Sequence, residues 1–85
     1  MQRAAVVEKV QSILVEHFDF PAENFDWSAP LRLTYPSFIL LRNLQQLEEQ
    51  LSIAFGKNLD ITHHISVADA TPSDLVEVII TQLTL

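Results

Sequence analysis

The stretch SFILLRNLQQLEEQL runs from Ser37 to Leu51. Leu40, Leu44, Leu47 and Leu51 step at four, three and four residues, and Leu41 widens the stripe. Gln45, Gln46, Glu48, Glu49 and Gln50 fall opposite. That spacing is one apolar face of an amphipathic helix and predicts a helix from about Ser37 to Ser52.

Toward the N-terminus, Val6, Val10, Ile13, Leu14 and Phe18 form a second stripe. It predicts a helix from about Ala4 to Phe18, ended by Asp19 and Pro21. His17 sits in its last turn, where a cationic ring suits the helix dipole. Asp19 to about Thr34 reads as a long connection. Pro21, Asn24, Asp26 and Pro30 oppose regular structure there. Phe20, Phe25, Trp27, Leu31 and Leu33 give it more apolar surface than a solvated linker carries, so it is expected to lie across the helices.

Toward the C-terminus, Gly56-Lys57-Asn58 marks a turn. Ile61, Ile65 and Val67 then suggest one short, weak helical turn. Thr71-Pro72-Ser73-Asp74 reads as a helix start: a threonine cap, a proline at the first helical position and an acid placed to reach back. Leu75, Val76, Ile79, Ile80 and Leu83 supply its apolar face. No stretch alternates, so no sheet is expected. The prediction is a single all-α domain over residues 1–85. It has three principal helices, a long first loop and a short third helix.

The chain's 85 residues carry 11 acids and 5 bases, net −6, with no cysteine. The absence of cysteine rules out disulfides, thiolate metal sites and cysteine nucleophiles. The negative charge disfavours nucleic acid and anionic lipid, and favours basic protein partners. Met1–Val10 does not read as a signal peptide, and Val78–Leu85 is too short to span a bilayer. The expectation is a cytoplasmic monomer.

Three pieces in order resemble the acyl carrier protein family, including its peptidyl and D-alanyl carrier domains. They are VVEKVQSILVEHFDFPAENFDWSAPL from Val6 to Leu31, the Ser37–Leu51 helix, and TPSDLVEVI from Thr71 to Ile79. The resemblance spans nearly the whole chain and implies the four-helix carrier bundle, with Leu31 plugging the core from the first loop. It makes Ser37 the attachment point for a 4'-phosphopantetheine arm. A separate phosphopantetheinyl transferase would install the arm, and acyl-loading and acyl-processing enzymes would use it. The family usually reads Asp-Ser-Leu at this point; here it is Pro36-Ser37-Phe38, and the loop before it is shorter.

Ser37 also fits a plain helix cap behind a proline, with Thr34 as a rival cap. Phe38, Ile39 and Arg42 form the expected partner-facing set, unless Phe38 and Ile39 fold back under the loop. Arg42 stands where the family often carries an acid, which suits a partner presenting one. His63 and His64 are adjacent, point apart on regular structure and have no third ligand at a convincing spacing, so no metal is expected. Nothing assembles a nucleophile, base and orienting acid, so no catalysis is expected. The alternative function is an interaction module that kept the fold and lost the arm.

Overall fold

Helix α1, Arg3–Phe18, buries Val6, Val10, Ile13, Leu14 and Phe18, the five residues of its stripe. The computed structural model from which this is read describes residues 2–66 and 69–84. Asp19 ends α1 in the left-handed region at φ 58°, a conformation that a short polar side chain tolerates. Phe20 then donates its N–H back to the Leu14 carbonyl at 3.1 Å.

The long connection is held down by rings. Trp27 meets Phe25 at 4.7 Å between centroids, Phe25 meets Phe20 at 5.9 Å, and Phe20 meets Phe38 at 6.2 Å. The loop is also bonded to the start of the last helix. Leu31 N–H donates to the Ala70 carbonyl at 2.7 Å and Ser73 N–H to the Trp27 carbonyl at 3.2 Å. Leu31 is 1% exposed and enters the core, as the carrier resemblance implied.

The loop closes with a short helix that the sequence reading missed, α2, Leu31–Thr34. Tyr35 ends it at φ −130°, ψ 86°, because the residue before a proline is pushed out of the helical region. Pro36–Ile39 follows as a 3-10 turn. Leu40 is extended, and only then does helix α3 begin, at Leu41–Phe55. The predicted start at Ser37 is therefore displaced by four residues. The reason is geometric. On one continuous helix Phe38 lies about 120° around the axis from Leu44, so the two cannot both face the core. The break turns Phe38 inward and leaves Leu40 and Leu41 outward. Leu44, Leu47 and Leu51 keep the buried face.

Gly56 ends α3 at φ 62°, donating its N–H to the Ile53 and Ser52 carbonyls. The expected short helix around Ile61 and Ile65 does not form; residues 62–64 make a turn, and Val67 lies outside the described residues. A distant acid holds the backbone at the start of this segment. Glu48 Oε2 accepts from Ile61 N–H at 2.7 Å and from Thr62 N–H at 3.0 Å. Helix α4, Pro72–Leu83, opens with both bonds of a capping box between Thr71 and Asp74. It buries Pro72, Leu75, Val76 and Ile79. Helix α1 packs on both α3 and α4, so it is the central element. The described residues form an all-helical bundle without strands. Its radius of gyration is 11.6 Å, close to the roughly 12 Å of a compact chain this long.

Candidate functional site

Ser37 is the second residue of the 3-10 turn and lies exposed at the surface. Its carbonyl is doubly held, by Leu40 N–H at 3.0 Å and by Asn43 Nδ2 at 2.8 Å. These bonds brace the turn against the first turn of α3. Ser37 does not cap a helix. The residue before the 3-10 turn is Tyr35 and the one before α3 is Leu40; neither makes a side-chain cap bond. The family resemblance placed Ser37 at the mouth of a long helix, and the break at Leu40 separates it from that mouth.

The three expected partner-facing residues part company. Phe38 is 1% exposed, its ring 4.9 Å from Phe18 and 4.7 Å from Tyr35. It is a core residue, and its reading as a docking contact is corrected. Ile39 is 65% exposed and Arg42 is also at the surface. The fold-back alternative thus holds for Phe38 and fails for Ile39.

The apolar surface beside Ser37 is wider than those residues. Leu33 on α2 and Leu40 and Leu41 at the α3 start are exposed too. Sequence reasoning assigned Leu40 and Leu41 to the core because they extend the helical stripe. A signal that separates them was present in Tyr35-Pro36, which ends α2 and keeps α3 from starting before Leu41.

His63 and His64 do not point apart. Both reach Asp60, His63 Nδ1 at 2.9 Å from Oδ1 and His64 Nε2 at 3.7 Å from Oδ2. The hydrogen bond with His63, and then its charge, hold the Asp60 carboxyl below the ordinary aspartate range. The cluster is exposed and lies in the turn after α3. Among the described residues no group of three or more histidine, cysteine, aspartate or glutamate side chains is placed to hold a metal ion. No helix of the described residues is long and apolar enough to cross a membrane.

Fold and surface together define a small helical bundle that presents a serine at one end, beside an apolar rim carrying arginine. No family model, curated protein or solved structure matches the chain.

Proposed function

We propose that the chain is a non-catalytic carrier of the acyl-carrier-protein type, with Ser37 as the attachment point for a 4'-phosphopantetheine arm. The observation that carries this reading is the state of Ser37: exposed, fixed through its own carbonyl, and not used as a helix cap. A serine whose backbone is held and whose side chain faces solvent suits modification by an external enzyme, because phosphoryl transfer asks chiefly for positioning. The aromatic-pinned first loop and the inserted Leu31 agree with the family resemblance. The arm, when present, supplies a thiol that carries acyl or aminoacyl groups as thioesters. The chain contributes the anchor, the docking surface and a stable frame. Its partners are a phosphopantetheinyl transferase and the enzymes that load and process the cargo, in a specialised lipid, polyketide or related pathway.

Coexpression with a broad-specificity phosphopantetheinyl transferase tests this directly. Intact mass is expected to rise by one arm in the native chain and to stay unchanged in Ser37→Ala. If the native chain stays unmodified beside a modified control carrier, the carrier reading fails.

Two observations favour a second reading, an interaction module without the arm. Pro36 replaces the usual acid, and the 3-10 turn removes Ser37 from the amide-rich mouth of α3. In that case Ser37→Ala leaves partner binding and biological activity intact.

A further inference from the structure

We propose that the surface of Leu33, Ile39, Leu40, Leu41 and Arg42 docks an amphipathic helix of a partner protein whose apolar stripe is flanked by acids. The patch begins with exposure. Leu33, Ile39, Leu40 and Leu41 are 63%, 65%, 44% and 55% exposed. Three are consecutive, and Leu33 lies on α2, which abuts the 3-10 turn. Single exposed apolar residues are ordinary, whereas a cluster rimmed by charge marks an interaction site.

Charge names the occupant. The segment from Trp27 to Leu47 carries two arginines and no acid, so the rest of the chain holds −8 against the overall −6. The other three cations, Arg3, Lys9 and Lys57, lie outside that segment. Arg3 pairs with Glu77, Lys9 bonds the Ala54 carbonyl, and Lys57 bonds the Gln82 carbonyl. Arg32 and Arg42 are the cations that adjoin the exposed apolar residues, next to Leu33 and Leu41 in the sequence. A partner bearing acids gains there by complementarity, and one bearing lysines loses.

Two other occupants fit less well. A second copy meeting this face across a two-fold axis brings like charge to like. An anionic bilayer meets a domain of net −6, which it repels beyond the patch. A helix reaches a short apolar strip through residues spaced three and four apart. The area is small, so the contact belongs to the weak, transient class.

The proposal deepens the carrier reading by giving its partners a chemistry, and it rests on that reading for why partners exist. Its test does not involve the arm. The full chain, labelled with ¹⁵N, is titrated with a synthetic helical peptide bearing a Leu/Ile stripe flanked by glutamates. A twin with lysines in place of the glutamates is the control. Amides of Leu33 and of residues 39–43 are expected to shift, with the acidic peptide binding at least about tenfold tighter. Arg42→Glu is expected to reverse that order. Leu41→Ser is expected to weaken both peptides, with its thermal midpoint unchanged because Leu41 is exposed. Equal affinity for the twins, shifts confined to another face, or no shift with either peptide overturns the proposal. So does patch-dependent binding to phosphatidylserine vesicles without acidic-peptide binding, or self-association through the same amides. An unmodified Ser37 leaves this result standing, and equal affinity of the twins leaves a modified Ser37 standing.

Discussion

Phe38 and Ile39 are neighbours in sequence and opposites in environment, 1% and 65% exposed. The difference sets their costs. Phe38→Ala removes a ring that touches Phe18, Phe20 and Tyr35, and is expected to cost about 3–5 kcal/mol. Ile39→Ser is expected to change stability by no more than about 0.5 kcal/mol. Urea midpoints of the two variants check this, and equal losses would put Phe38 at the surface after all. Glu48 looks like one more solvated acid in the sequence. Its carboxylate instead holds the amides of Ile61 and Thr62, thirteen and fourteen residues away. Glu48→Ala strands both donors and is expected to cost about 1–3 kcal/mol, read as a lower midpoint in urea. No local pattern announces such a bond, because its partner is fixed only when the chain after α3 folds back. Asp60 gives a pH signature. His63 lowers its pKa in the folded state, so the unfolded chain takes the proton first as pH falls. The stability that Asp60 contributes is present above about pH 4 and fades below it. The stability gap between the native chain and Asp60→Asn should therefore close on acidification; a gap that persists unchanged into strong acid contradicts it.

Helix α1 and helix α4 were legible because their signals are local. Five spaced apolar residues define the buried face of α1, and Thr71-Pro72-Ser73-Asp74 defines the start of α4. The Asp74 carboxylate accepts from Thr71 N–H at 3.0 Å, and Thr71 Oγ1 accepts from Asp74 N–H at 3.2 Å. Thr71→Ala should lower stability by about 1 kcal/mol, and a thermal midpoint unchanged by it would deny the box any role. The start of α3 was legible only in part. Phe38 to Leu41 is a run of four apolar residues, and period alone cannot say which of them faces inward. Tyr35-Pro36 decides it by ending α2 and opening a 3-10 turn. The same ambiguity hid part of the candidate surface: Arg42 was placed outward and Ile39 was left open between outward and folded back, whereas Leu40 and Leu41 were assigned to the core. The end of α3 depends on Gly56, whose missing Cβ would meet nothing within 4 Å. Gly56→Ala therefore tests backbone strain alone, and an expected cost of about 1–2 kcal/mol follows from the left-handed φ.

The connection between α1 and α2 joins these pieces into one unit. It reaches the core through Phe20, with Leu31 at the start of α2 buried next, and Trp27 and Leu31 bond to Ser73 and Ala70 at the start of α4. Only one tryptophan occurs in the chain, and it lies in this connection, half-buried against Phe25. Trp27 fluorescence therefore reports the loop, while far-UV circular dichroism reports α1, α3 and α4. If the loop is part of the core, the two signals must change together in urea, as expected of a small cooperative domain. The slope should be about 1 kcal/mol per molar urea, at the low end for small proteins. If the loop is instead a detachable cover, fluorescence changes first, at a urea concentration where helix content is intact. Coincidence also bears on the site. The 3-10 turn that presents Ser37 is packed through Phe38 against Phe18 of α1 and Phe20 of the loop. A loop that melts early would release that turn, and with it the fixed presentation of Ser37 on which the proposed modification rests. Coincident curves in the native chain, separating in Phe38→Ala, would place the joint between loop, turn and α1 at that one ring.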